Sequence, residues 1–269
     1  MTGEQLVLTL LTVISAATPL LLAALGELVV ERAGVLNLGV EGMMLAGAVA
    51  AFAITIGTGQ PELGVLAGAL AGALLALVFG ILALSLMSNQ VATGLALTIF
   101  GIGLSALVGS GFVGMPVTRL PRLAVPGLSD LPVVGPLLFS HDILVYLSIV
   151  MTAGVAWFLS RSRGGMILRA VGESHEAAHA IGYPVIRIRY LAVLFGGVMS
   201  GLAGAFLSLS YTPMWVEGMT AGRGWIALAL VVFAAWRPWR LLVGAYLFGG
   251  VTVLQLYAQT TGVIQVPAQ

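Results

Sequence analysis

The sequence predicts an all-α, polytopic membrane protein, with about eight transmembrane helices forming a single domain over residues 1–269. Three observations predict it. Of the 269 residues 59% are hydrophobic and 8% charged, against about 25% charged in an ordinary soluble domain, and the mean hydropathy is +1.09. Apolar runs of about 20 residues, the length a helix needs to cross a hydrocarbon core, recur along the chain. The eleven cationic residues are all arginine, and most fall in alternate connections. The composition also excludes chemistry. Without cysteine there is no disulfide framework, thiolate metal site or cysteine nucleophile. Without lysine there is no phosphate loop of the GxxxxGK[ST] type, so no such motor is carried in this chain.

The first span is Leu6–Leu25; the preceding residues carry no basic n-region, so it reads as a retained helix rather than a cleaved signal. Residues 26–42, GELVVERAGVLNLGVEG, hold four glycines, three glutamates, an arginine and an asparagine. They are too polar for a lipid-facing helix and read as a broken or re-entrant segment. Gly42–Gly59 is a second span. Leu63–Met87 is a third, with Gly64, Gly68 and Gly72 on one helix face, where small residues let another backbone come close. Ser88, Asn89 and Gln90 interrupt the apolar run before a fourth span, Val91–Gly109.

Residues 110–140 have no helical periodicity and include Pro116, Pro121, Pro126, Pro132 and Pro136, which predicts an external loop with room for a short interfacial helix. Ile143–Ser160 is a fifth span and Tyr190–Tyr211 a sixth, with Gly197, Gly201 and Ala205 again four apart. Arg223–Trp236 is apolar but short for a crossing, so it is tilted, broken or shielded. Trp236 to Arg240 forms an aromatic and basic interfacial turn, Leu241–Tyr257 the last clear span, and Thr260–Gln269 a weakly apolar tail. If the polar stretch 161–189 is cytoplasmic, eight arginines fall inside and Arg119, Arg122 and Arg223 outside, the bias of the positive-inside rule. Both termini are then external.

The stretch 161–189 holds five arginines and two of the three histidines. Within it Glu176-Ala177-Ala178 suits a short helix that Gly182 stops. The plain alternative is an ordinary solvated loop helix. The string resembles the EAA coupling loop of permease subunits of bacterial ABC importers. Glu31–Ala48 (ERAGVLNLGVEGMMLAGA), Arg169–Leu209 and Thr220–Phe233 (TAGRGWIALALVVF) are similar to the nucleoside-type branch, which lies near the ribose and branched-chain amino acid permeases. Similarity runs from the first span to the last. Members usually carry one more apolar helix beyond the position of Gln269.

The resemblance implies a multi-pass permease of the cell (inner) membrane. It would form half of a nucleoside pathway, paired with a second permease subunit, two ATPase subunits and an extracytoplasmic substrate-binding lipoprotein. ATP and Mg would sit on the ATPase, with no cofactor, catalytic site or nucleic acid in this chain. Glu173, Glu176, Ala177, Ala178 and Gly182 would seat the coupling loop on the ATPase. A sugar or a branched-chain amino acid is the alternative substrate.

An uncharged solute needs hydrogen-bonding groups on an inert wall, which makes Asn37, Glu41, Asn89, Gln90 and Thr93 the pathway candidates. The competing reading is structural: Glu41 caps the second helix and Asn37 satisfies backbone freed where a helix breaks. His175 and His179 stand four apart but lack a third ligand, so a solvated pair outweighs a metal site. Gly103-Leu104-Ser105-Ala106 fits the GxSx string of rhomboid-like proteases, without a histidine deep in a later span to activate Ser105. An ion-coupled secondary transporter is the alternative of another class. It predicts paired acidic groups at mid-depth and internal repeats, neither of which is visible in the sequence.

Overall fold

The computed structural model describes residues 3–124 and 134–260. Pro126, Pro132 and most of the expected C-terminal tail lie outside the described residues. The long helices are α1 (Gly3–Arg32), α2 (Val40–Thr58), α3 (Pro61–Gly80, continued by a π turn Ile81–Ser85) and α4 (Gln90–Gly109). After α4 the chain makes strand β1 (Arg122–Ala124), a six-residue helix α5 (Val134–Phe139) and strand β2 (Ser140–Asp142). There follow α6 (Ile143–Arg161), α7 (Arg163–Glu173), α8 (His175–Ala180), α9 (Val185–Phe206, continued by a π turn Leu207–Tyr211), α10 (Arg223–Phe233) and α11 (Pro238–Thr260). Seven helices among the described residues are long and apolar enough to span a membrane; α10 is shorter.

The small-residue stripes set how closely these helices approach. On α3, a Cβ at Gly68 would meet the Gly47 carbonyl at 2.9 Å and Ala205 Cβ at 2.9 Å, and one at Gly72 would meet the Gly201 Cα at 2.8 Å. A Cβ at Gly47 would lie 2.6 Å from the Gly201 carbonyl oxygen. The glycines expected to be a packing face are therefore the three-way seam of α2, α3 and α9. Around it lies the main apolar core, with Leu21, Leu25, Met44, Met199 and Phe206 fully buried.

With its π turn α9 runs 27 residues, about 40 Å at 1.5 Å per residue, and serves as a ruler. Its start faces the Arg189–Ala33 contact, and its other end meets the loop before β1 through Leu120 N–H to Leu209 O, 3.1 Å. The end carrying α7 and α8 is called the basic end below. Alongside α9, Ser208 Oγ donates to Ala48 O at 2.9 Å, and a Cβ at Gly204 would strike the Met44 carbonyl. That parallel register puts Val40, the first residue of α2, opposite the middle of α9, about 20 Å from either end.

Two expectations from the sequence differ from this arrangement. Residues 26–32 are not a break but the last turns of α1, tolerated because Gly26, Glu27, Leu28, Val29 and Val30 face protein rather than lipid. The chain breaks at residues 33–39, which climb from the basic end back to mid-depth before α2 begins. The segment 212–222 mirrors this, descending from the opposite end, where Trp215 packs on Gly109, to mid-depth where α10 starts. Arg223, expected outside, thus begins a half-helix at mid-depth. Among the described residues eight passes remain, two of them completed by extended chain.

The mirror relation is general. The order α1, break, α2, α3 runs opposite in direction to α9, break, α10, α11; α3 packs along α9 as α11 packs along α1, and α2 packs on α9 as α10 packs on α1. The architecture is an inverted repeat that the sequence does not reveal. Between α4 and α6 a two-stranded antiparallel ladder pairs Arg122 with Asp142 and Ala124 with Ser140, and α5 is a short helix in the segment where one was expected.

Candidate functional site

The two half-helices start against each other. Glu41 stands in the first turn of α2, 6% exposed. Its Oε1 accepts from Thr220 Oγ1 at 2.5 Å and from Gly222 N–H at 2.9 Å, and its Oε2 accepts from Gly224 N–H at 2.6 Å. A carboxylate is the natural partner for the unsatisfied N–H groups and positive dipole of a helix N-terminus. Gly224 is required by this approach, since a Cβ there would sit 2.6 Å from Glu41 Cα. Glu41 therefore caps a helix, as the structural reading expected, but the helix is α10 rather than its own.

The climbing segment is tied on both sides. Asn37 N–H donates to Glu27 Oε1 at 3.0 Å, Asn37 Oδ1 accepts from Gly39 N–H at 2.9 Å, and Thr98 Oγ1 donates to Leu38 O at 2.9 Å. Nearer the basic end, Leu36 N–H donates to Gln90 Oε1 at 2.9 Å. Non-helical backbone at membrane depth survives only where protein or a water-filled cavity replaces the missing partners, and these side chains are the replacements. Glu27 is fully buried and its Oε2 has no partner among the described residues.

At the basic end, α7 and α8 are capped by Ser162 and Ser174, whose hydroxyls accept from Gly165 N–H at 2.9 Å and Ala177 N–H at 3.3 Å. α8 ends at Ala180, and Gly182 turns the chain at φ +91°, as expected for a glycine stop. Ala178 is buried, whereas Glu173, Glu176, Ala177, His175, His179 and Gly182 are exposed. α7, which the sequence did not suggest, packs against the end of α1. Gly172 lies against the Arg32 carbonyl and Gly34, with no room for a side chain. Beside it Trp236 Nε1 donates to Glu31 Oε2 at 2.5 Å, Arg32 Nη2 to Trp236 O at 3.2 Å, and Arg189 Nε to Ala33 O at 3.2 Å. A cleft of about 380 Å³ separates α8 from the α3–α4 turn, lined by Gln90, His175, Glu176, His179 and Arg189 among others.

The five pathway candidates divide by depth. Asn37 and Glu41 are buried at the mid-depth junction. Asn89 is exposed at the basic end, where its Oδ1 caps α4 by accepting from Ala92 N–H at 3.0 Å; Gln90 holds the climbing segment; Thr93 is buried beside Ser88, 2.8 Å away. The five coupling candidates lie together on α7, α8 and the turn after them. Missed by sequence reasoning were Thr220, Gly222 and Gly224, for which the run of small residues around Arg223 was the available signal, and the Glu31–Trp236 pair. Ser105 is buried, with no hydrogen-bond partner among the described residues.

Residues 9–266 match the family described as branched-chain amino acid transport system / permease component. Over 251 residues, 92% of this chain and 76% of the relative, the sequence is 50% identical to a protein of Haloferax volcanii named as a glucose ABC transporter permease, TsgC13. It is 32% identical to the guanosine ABC transporter permease protein NupQ of Bacillus subtilis, covering 87% of this chain and 77% of that one. It is 29% identical to the nucleoside ABC transporter permease protein NupC of Lactococcus lactis, with 94% and 83% covered.

Proposed function

The chain belongs to this family of ABC-transporter permeases, a multi-pass protein of the inner membrane, and on that premise we propose that it forms half of the import pathway for an uncharged, hydroxyl-bearing solute, a nucleoside. The observation that carries the substrate class is the occupation of the α10 N-terminus by Glu41. A half-helix N-terminus at mid-depth is the usual receptor for a substrate carboxylate. With its donors already taken by a fixed negative charge, this junction repels an amino acid carboxylate and suits a neutral solute. Asn37, Asn89, Gln90 and Thr93 then offer polar groups along the climbing segment and the mouth of the pathway. A sugar is the second reading, favoured by the 50% identity to the Haloferax protein.

Both physical objections to an ion-coupled transporter weaken, because the fold is an inverted repeat and Glu27 and Glu41 lie at mid-depth. Family membership decides the class. The permease does no covalent chemistry; ATP and Mg are bound by a separate ATPase pair, a second permease completes the pathway, and a substrate-binding lipoprotein delivers solute from outside. The basic end faces the cytoplasm, and Glu173, Glu176, Ala177, Ala178 and Gly182 meet the ATPase. Closure of the ATPase moves α7, and Gly172 passes that motion to the α1 terminus and the segment 33–39. What this requires is an interaction that differs between two states of the pathway.

The test is uptake by the purified assembly in proteoliposomes with ATP inside and lipoprotein outside, comparing a radiolabelled nucleoside, glucose and leucine. Nucleoside uptake that needs ATP supports the reading. Glucose uptake alone moves the assignment to the sugar, and leucine uptake overturns the argument from Glu41.

A further inference from the structure

Between α6 and α9, in the half of the molecule nearer the basic end, lies an apolar groove of about 290 Å³ that opens sideways. Gly154 and Phe158 of α6 form one wall, Leu191 and Phe195 of α9 the other, and Val29 of α1 and Leu168 of α7 the remainder. Gly154 keeps it open, since a Cβ built there meets nothing within 4 Å. Both walls end in a cation. Arg187, Leu191 and Phe195 are four residues apart and share one face of α9, while Arg161 follows Phe158 by three on α6. Arg161 and Arg187 are both exposed.

From this arrangement we propose that the groove is a binding site for an anionic phospholipid, with one acyl chain between α6 and α9 and the headgroup phosphate at Arg161 and Arg187. The depth fits, because the apolar part lies within the spans and the arginines at the ends of α6 and α9 reach the level of the headgroups. The chemistry fits too: an apolar slot whose two walls lead on to an arginine each, Arg161 on α6 and Arg187 on α9, suits a ligand with a long hydrocarbon tail and a negative head. A packed protein helix would fill the slot but would leave both guanidinium groups without a counter-charge. The site is distinct from the junction at Glu41 and from the exposed face of α8. A bound lipid there would brace α7, through Leu168, against α6 and α9.

The experiment is native mass spectrometry of the purified transporter assembly in mild detergent, titrated with dioleoyl phosphatidylglycerol or dioleoyl phosphatidylcholine. The expected result is preferential retention of phosphatidylglycerol, reduced about fivefold by Arg187→Gln and by Arg161→Gln, at about 1 kcal/mol per arginine near the headgroups. Gly154→Leu places a side chain in the slot from a position where a built Cβ meets nothing within 4 Å, so it should keep the wild-type melting temperature and lose the retained lipid. Equal retention of the two lipids overturns the proposal, as does undiminished retention by Gly154→Leu. An assembly in which a second permease covers the groove and no lipid is retained also overturns it. So does glycerol phosphate binding with the affinity of the whole lipid, which would make the arginines a site for a free phosphate.

Discussion

The Glu41 carboxylate accepts the Gly224 N–H at 2.6 Å, joining two helix beginnings that lie 183 residues apart in the chain. Together with the bonds from Thr220 and Gly222, this ties the start of α10 to α2 through the Glu41 side chain. Hydrogen bonds to a charged group are each worth about 1.5–3 kcal/mol. Glu41→Ala removes all of them and leaves buried N–H groups unpaired. We expect it to lower the melting temperature of the purified assembly and to abolish uptake. Glu41→Gln keeps an acceptor for part of the set and should cost less stability. Its effect on selectivity is the sharper readout: without the negative charge, carboxylate-bearing solutes should begin to compete with the neutral substrate in uptake assays.

A second prediction concerns the glycine seam. A Cβ built at Gly201 would strike the Gly68 carbonyl, and those built at Gly47 and Gly72 would come within 2.6–2.8 Å of Gly201 backbone atoms. Gly201→Leu must push α2 and α3 off α9, and overpacking a filled interior costs about 1–3 kcal/mol or more. The expected outcome is poor insertion or a broad, early thermal transition. Gly103, by contrast, sits mid-helix in α4 with nothing near a built Cβ. Gly103→Ala should be neutral or stabilise by about 0.5–1 kcal/mol, which separates a packing glycine from a spare one in the same melting experiment.

The seam was readable because its signal is local: small residues four apart on α3 and α9 can be seen without knowing what they touch. The same is true of the α8 stop at Gly182, whose positive φ demands glycine. The junction at mid-depth was only half readable. Asn37 and Glu41 stood out as polar groups in a greasy chain, yet their partners are set by the fold: Glu27 stands in the last turns of α1 rather than in a break, and Thr220 and Gly224 are about 180 residues away. Arg223 was placed outside because a span was assumed to begin at a membrane face, whereas α10 begins where Glu41 supplies its cap. The inverted repeat escaped detection for a related reason. The break in one half is satisfied by Glu27 and Gln90, whereas the N–H groups of Gly222 and Gly224 in the other are satisfied by Glu41, so shape recurs while sequence does not.

A third prediction addresses the basic end. Glu176 is exposed on α8 and spends no side-chain bond on the rest of the fold in the contacts described above, so Glu176→Arg should leave insertion and melting unchanged. The proposed coupling places it against the ATPase, where charge reversal repels. The expected result is normal membrane level with transport lost or strongly reduced and the basal ATPase rate retained. A variant transporting at the wild-type rate removes Glu176 from the coupling surface.

The last prediction separates coupling from contact with the ATPase. Gly172 on α7 has no room for a side chain because the Arg32 carbonyl and Gly34 lie against it, and Trp236 binds Glu31 in the adjoining turn of α1. Neither Gly172 nor Trp236 belongs to the exposed face of α8. If motion passes from α7 to the segment 33–39 through this seat, Gly172→Val should loosen it and uncouple transport although the ATPase still binds. Trp236→Phe keeps the aromatic ring and removes only the N–H donor to Glu31, leaving a carboxylate oxygen without that partner at a cost of about 1–3 kcal/mol. We expect ATP turnover per solute transported to rise in both variants, more in Gly172→Val, with co-purification of the ATPase unchanged. Loss of the ATPase from either variant would instead make this end of the molecule a docking surface throughout, and the seat at Gly172 would then hold α7 in shape rather than transmit its movement.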